Sequence, residues 1–313
     1  MVCILNQKRV KIVDSDISVN TVWCPKYLYV ITKRIALLEN VTLRIADGTK
    51  VFLLNGFDEE SFSYIASFLL KKGSKLLSKE WTLGAADLVN GYYVESKVNY
   101  NGGIFVQGSD HVDPSAPADV SESSEEVPRI CKKTLEACCC NNNSTGTYYR
   151  IGKLNLRYTY MYLSALNKND TKINEITGYN ITTIFLANGS ELELNRLHID
   201  GSDKDVEFYN TKFVFHLLNT KPCSVFIRES FYSRTMARLV YSDRNSDLAK
   251  ITFGKCSDLD VIFSRLAGVL SNMGTRYSPT ITANDYLPSV YAQPWNYTGK
   301  IKCPITIGFV KTE

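Results

Sequence analysis

Histidine is scarce: His111, His198 and His216 are the three in 313 residues, and they are scattered. The chain contains no His-Glu-x-x-His, Gly-x-Ser-x-Gly, P-loop or Rossmann glycine pattern. The usual signatures of zinc protease, α/β-hydrolase, nucleotide and dinucleotide chemistry are therefore missing. No run approaches the ~18 apolar residues that a membrane-spanning helix requires. An excess of one charge is also lacking. There are 36 Lys and Arg against 32 Asp and Glu, a net charge of +4 with no basic tail or block, so nothing points to a nucleic-acid partner. The opening MVCILNQKRVKIVDSD has no adequate apolar segment for a secretory signal, and none is expected.

What is abundant points to strands. Hydrophobic content is 44%, with 19 Tyr and 14 Phe, residue types that suit pleated, half-buried surfaces. From Asn180 to His216, short runs of alternating apolar residues sit between turn signals. Ile184 and Leu186 precede Asn188-Gly189, then come Leu192 and Leu194, and Leu197 and Ile199 precede Asp200-Gly201. Val206, Phe208, Phe213 and Phe215 follow. Period-2 alternation marks half-buried strands, and Asn-Gly and Asp-Gly tolerate the positive φ of tight bends. Leu192 to Phe213 has about the length of one solenoid coil, for which periods of ~20 residues upward are usual. The same pattern also suits an antiparallel meander or sandwich. The rhythm begins near Trp23, with turns at Asp47-Gly48 and Asn55-Gly56, and persists to Ile251–Phe253.

Three segments break this rhythm. Residues 57–73 open on acids and close on Lys71, Lys72 and Gly73, which fits a helix dipole and a helix C-terminus. Phe62, Tyr64, Ala66, Phe68 and Leu70 also alternate like a strand, but a short inserted helix is expected. Ser109 to Gly146 is rich in Pro, Ser and acids at first and then carries Cys138, Cys139 and Cys140. It reads as a long surface loop, either without a role or ordered by a partner. From Ser257, the residues Leu259, Ile262, Phe263, Leu266, Val269, Leu270 and Met273 fall at helical spacing. Ser257 with Asp260 resembles a capping box. This predicts a helix over 257–273 that covers one end of the stack. An irregular Tyr/Pro-rich tail follows, with a strand at Ile305–Val310.

Nine cysteines, an odd number unevenly spread, predict free thiols in a cytosolic chain rather than a disulfide framework. Of the seven Asn-x-Ser/Thr sequons, at Asn40, Asn142, Asn143, Asn169, Asn180, Asn188 and Asn296, most read as chance matches in such a chain, whereas in a chain that reached the secretory route both the sequons and the thiols would read differently. Asp200, Asp203, Asp205 and Glu207 form the single acidic group of interest. Turn chemistry explains them first, a weak Ca²⁺ site second, and a glycosidase-type carboxylate pair last. We assign no catalytic, cofactor-binding or metal-ligating residue.

Two segments resemble coils of a known architecture. NVTLRIADGTKVFLLNG (Asn40 to Gly56) and ELELNRLHIDGSDKDVEFYNTKF (Glu191 to Phe213) are similar to an early and a later coil of right-handed parallel β-helix proteins. The later segment carries Ile199 to Gly201 as the turn and Asn210 to Phe213 as the following motif. Such proteins occur as bacterial secreted or surface proteins, often acting on polysaccharides, and as virion proteins of large DNA viruses. The resemblance implies a mainly β chain: a right-handed parallel β-helix (solenoid) with a C-terminal helix and irregular tail. Its divisions would be an N-terminal extension over 1–22, a β-helix over 23–256 with a loop at 109–146, and a cap and tail over 257–313. The departures from the bacterial type favour a structural virion component, a minor capsid or particle-surface protein assembled in host cytoplasm. It would contact other capsid or shell proteins and would not be an enzyme. A carbohydrate-binding or carbohydrate-processing β-helix is the alternative. Neither reading includes a nucleic-acid partner or a transmembrane segment.

Overall fold

The computed structural model describes residues 3–108, 149–169, 171–179, 183–187, 189–200, 212–215, 223–233, 237–241, 250–256, 259–265, 276–283, 296–301 and 303–312. The chain begins with β1 (Cys3–Ile4), a 3-10 turn at Gln7–Arg9, β2 (Val10–Val13), β3 (Thr21–Trp23), β4 (Leu28–Ile31), β5 (Arg34–Leu37), β6 (Thr42–Ile45) and β7 (Thr49–Leu54). A hairpin of β8 (Phe57–Asp58) and β9 (Ser63–Tyr64) precedes β10 (Ser67–Leu70), β11 (Lys75–Val89), β12 (Tyr92–Glu95) and β13 (Ile104–Gln107). Then come β14 (Tyr149–Arg157), β15 (Tyr160–Ser164), β16 (Thr171–Tyr179), β17 (Thr183–Ala187), β18 (Glu191–Asp200), β19 (Lys212–Phe215) and β20 (Ser224–Ser233). The last are β21 (Ala237–Tyr241), β22 (Lys250–Lys255), β23 (Leu259–Arg265), β24 (Arg276–Ala283), β25 (Asn296–Ile301) and β26 (Ile305–Thr312).

These strands form a mainly β molecule with two long sheets whose neighbours are largely parallel. The larger runs β2-β4-β7-β11-β14-β16-β18-β20-β22, and the smaller runs β5-β10-β13-β15-β17-β19-β21-β23. From β13 to β23 the chain alternates strictly between the two. Each return lies beside the previous strand of the same sheet, an arrangement compatible with a solenoid. Tyr149 sits beside Thr171 and Glu175 beside Arg196, so a short circuit takes about 22 residues, within the range of solenoid repeats.

The inward side chains stack in rows. Ile35, Phe68, Ile104, Met161 and Ile184 follow one another in register across the smaller sheet, and all are buried. Trp81, Leu154, Ile176 and Leu197 do the same across the larger one. Both rows belong to one apolar cluster. Period-2 alternation thus delivers every second residue to a shared core, where each large side chain contributes about 1.5–3 kcal/mol of burial. Leu43, Ile45, Val51, Leu53, Leu192 and Leu194 are buried in this cluster, as the sequence predicts. Phe208 lies outside the described residues, and for Phe213 and Phe215 the strand alone is described.

The long strands bend at a fixed place. Inward spacing changes there from two to three: Ser78 is followed by Trp81, Ile151 by Leu154, Ile173 by Ile176 and Leu194 by Leu197. The ladder skips the pairs at Lys79, Gly152, Asn174, Asn195, Arg228 and Gly254. A Cβ on Gly152 would lie 2.4 Å from the Lys79 carbonyl oxygen, so neighbouring backbones come too close at this bend for a side chain.

Several expectations are corrected. Leu259–Arg265, within the predicted 257–273 helix, is strand β23. It pairs in parallel with β21 and antiparallel with β25, because sheet neighbours on both sides override an apolar spacing that also fits a helix. Beyond β22 and β23 the sheets continue in antiparallel strands: β26 beside β22, β24 beside β26, and β25 beside β23. Ser257 and Met273 lie outside the described residues. Residues 57–73 are likewise no helix. They form the β8–β9 hairpin and β10, with Ala66, Phe68 and Leu70 buried. Gly73 takes its positive φ, 79°, in the turn into β11. The tail strand at Ile305–Val310 is present within β26, and Val10–Val13 is an edge strand paired with β4.

Among the described residues the free-thiol expectation fails at Cys24, Cys256 and Cys303. Cys256 and Cys303 form a disulfide with a Cα–Cα separation of 5.4 Å, and Cys24 is also disulfide-bonded. Antiparallel pairing of Phe253 with Ile305 brings Cys256 and Cys303 together across 47 residues of sequence, a separation that spacing could not reveal. Cys223 is free and buried. Cys138, Cys139 and Cys140, and the loop that carries them, lie outside the described residues.

Candidate interaction surface

The outer face of the smaller sheet carries a continuous aromatic strip. Alternation that sends Ile104 and Val106 inward turns Phe105 outward, and the same logic presents Tyr160, Tyr162 and Phe185. Because Phe105, Tyr162 and Phe185 share one register row, their rings meet at 5.4 Å and 6.0 Å. The strip continues through Tyr160 to Tyr64 at 6.2 Å, and from there to Tyr100 at 5.6 Å and Phe57 at 5.7 Å. Phe57 and Tyr100 are 38% and 48% exposed, and Phe62, in the adjoining hairpin, is 84% exposed. Tilted and edge-on pairs of this kind each add about 0.5–1.5 kcal/mol beyond burial. Burial, with Tyr64 second, pushes the Tyr160 phenol well above its ordinary range, and burial with Cys223 second raises Tyr162. Both therefore stay neutral hydroxyls at physiological pH.

Behind the strip, buried Asn101 and half-buried Asn55 hold the connections from the larger to the smaller sheet. Asn101 donates to the Tyr158 carbonyl at 3.1 Å and to Asn55 Oδ1 at 3.2 Å. Its own Oδ1 accepts from the Gly103 amide at 3.1 Å and from Thr159 Oγ1 at 2.8 Å. Asn55 in turn donates to Asp87 and Ser96 and accepts from the Tyr100 amide. Polar groups this deep must be paired, and these are, which explains them structurally without any catalytic role.

The outer face of the larger sheet carries a row of charges. Glu80, Lys153, Glu175, Arg196, Glu229 and Lys255 occupy one register row with alternating sign. Lys153 Nζ lies 3.5 Å from Glu80 and 3.7 Å from Glu175, and Arg196 lies 3.9 Å from Glu175 and 3.6 Å from Glu229. Opposite charges across neighbouring strands are mildly stabilising. Glu175→Lys would set three cations in a row, and we expect it to lower stability by roughly 1–2 kcal/mol at low salt. The loss should shrink in high salt, since screening weakens exposed pairs. Denaturant titrations at two ionic strengths check this, and a salt-independent loss would contradict it.

A groove of about 450 Å³ opens near the bend, lined by Arg150, Lys168, Lys172, Asn174, Glu193 and Asn195 among others. β16 and β18 pair only from Glu175 and Arg196 onward, so the strands separate on the groove side.

The acidic group expected at Asp200 to Glu207 is represented by Asp200 alone, half-buried at the end of β18; Asp203, Asp205 and Glu207 lie outside the described residues. His198 is half-exposed, with Nε2 3.3 Å from Ser233 Oγ, while His111 and His216 lie outside them. Among the described residues no cluster of three or more His, Cys, Asp or Glu is arranged to hold a metal, and no helix is long and apolar enough to cross a membrane. Neither the aromatic strip nor the charge row was anticipated from sequence. Both become visible when coils are aligned, as Phe105/Tyr162/Phe185 and Glu80/Lys153/Glu175 show. No protein-family model, curated protein or solved structure matches this chain.

Proposed function

We propose that the chain is a right-handed parallel β-helix serving as a structural virion component, a minor capsid or particle-surface protein of a large DNA virus, that works through contacts with other shell proteins. The two parallel sheets, visited alternately, support the β-helix, and right-handed crossovers are the general rule for parallel strands. The virion assignment rests on the resemblance of Asn40–Gly56 and Glu191–Phe213 to β-helix coils. The observation that carries the contact role is the aromatic strip. Protein interfaces are enriched in Tyr and Phe, and large exposed apolar patches mark interaction sites. The strip is borne on a sheet face and is not a cleft with paired carboxylates, which favours broad contact over sugar cleavage.

The test is a double substitution on that face, Phe105→Ser with Tyr162→Ser. Both side chains point away from the core row, so the protein should still fold. Incorporation into assembled particles, measured by quantitative mass spectrometry, should drop at least tenfold. Incorporation at normal stoichiometry would remove the strip from the contact. The groove near the bend favours the second reading, a carbohydrate-binding β-helix. Saccharide binding lost on Glu193→Gln, with incorporation unaffected, would put that reading first.

A further inference from the structure

Beyond the contact role, we propose that Asn40 and Asn169 are N-glycosylation acceptor sites on one edge of the stack, used where the chain meets an oxidising, glycosylating compartment. Two independent observations meet here. The first is the oxidised state of Cys256 and Cys303, joined at a Cα–Cα distance of 5.4 Å, and of Cys24. Such bonds form and persist where glutathione does not reduce them, which is also where glycan transfer takes place. The second is the position of the sequons. Asn40 and Asn169 are the two sequon asparagines whose side chains are described, and both are exposed in turns. Asn40 has a φ of 63°, a value suited to a tight turn, and the Asn169 amide donates to Asn167 Oδ1 at 2.9 Å. An acceptor asparagine belongs on such a surface loop.

Their places in the fold agree. Asn40 lies between β5 and β6, and Asn169 between β15 and β16, so both mark the passage from the smaller to the larger sheet. By chain order Asn142 and Asn143 fall between β13 and β14, and Asn188 between β17 and β18. These three lie outside the described residues and the proposal does not use them. The aromatic strip runs from mid-strand, at Phe105, Tyr162 and Phe185, to the opposite edge of the smaller sheet, where Tyr160 opens β15 and Tyr64 and Tyr100 precede β10 and β13. A five-residue strand separates the two edges by roughly 15 Å. Glycans at Asn40 and Asn169 would therefore cover one edge and leave the strip open. In the transfer, asparagine Nδ2 bonds to the anomeric carbon of an oligosaccharide carried on a lipid diphosphate. The carbon–oxygen bond to the diphosphate breaks, and one amide proton leaves. Transfer precedes folding, which is consistent with the later burial of Thr171, the third residue of the second sequon.

The experiment delivers the full chain to the secretory lumen of cultured animal cells with a cleavable leader. Site-resolved mass spectrometry is then performed on the folded, secreted fraction. Asn40 and Asn169 should both carry glycan. Peptide N-glycosidase should convert each to aspartate, and Asn40→Gln and Asn169→Gln should each remove one glycan without loss of secretion. Cys256 and Cys303 should resist alkylation in the same material. Secreted, folded chain with both asparagines bare would overturn the proposal, as would glycosylated chain in which Cys256 and Cys303 remain free thiols.

Discussion

Replacing Trp81 with alanine should lower the unfolding free energy by about 3–5 kcal/mol, the largest loss expected from any single side chain here. Trp81 is fully buried in the main core cluster and stands in register with Leu154 and Ile176. Its indole fills the corner just beyond the bend, where inward spacing widens from two residues to three. Removing it deletes a large apolar area and leaves a cavity that rigid neighbouring strands cannot collapse into. A urea titration should show a lower midpoint with little change in slope. Leu77→Ala, on the outward side of the same strand, should cost far less. Equal losses for the two variants would mean that Trp81 is not a core residue.

Asn101→Ala should be nearly as damaging, at roughly 2–5 kcal/mol, although it removes only a few atoms. The substitution strands the Gly103 amide and Thr159 Oγ1 in a site where Asn101 and Thr159 are both fully buried. Each such group then bears its desolvation cost without a partner. Hydrogen exchange gives a local readout: the Gly103 amide should lose protection in the variant. Asn101→Asp, which keeps the acceptor oxygen, should retain part of that protection. A variant with unchanged stability would show that the stack of Asn55, Asn101 and Thr159 does not hold the connections in place.

The strands were legible where one face is buried and the alternation is undisturbed. Leu192 and Leu194 could be placed inward from sequence alone, since an adjacent polar residue marks the opposite face. The helical expectations failed over 57–73 and over Leu259–Arg265 for a shared physical reason. Over 57–73 and 257–273, apolar residues satisfy both periods, and charge order or a cap-like Ser cannot outweigh a parallel neighbour such as β13 for β10 or β21 for β23. Long-range partners of this kind have no local sequence trace. The rows at Phe105/Tyr162/Phe185 and Glu80/Lys153/Glu175 were hidden differently. Their members are separated by unequal stretches of chain, so no fixed period lines them up. The Cys256–Cys303 bond depends on a reversal of strand direction that nothing between those residues announces.

The alternating charges on the larger sheet also act as a parity check on assembly. A stack of similar coils can skip a turn while folding, or accept a coil from a second molecule out of phase. With Glu80, Lys153, Glu175, Arg196, Glu229 and Lys255 in one row, skipping one coil sets two like charges side by side at the junction, and that contact is unfavourable.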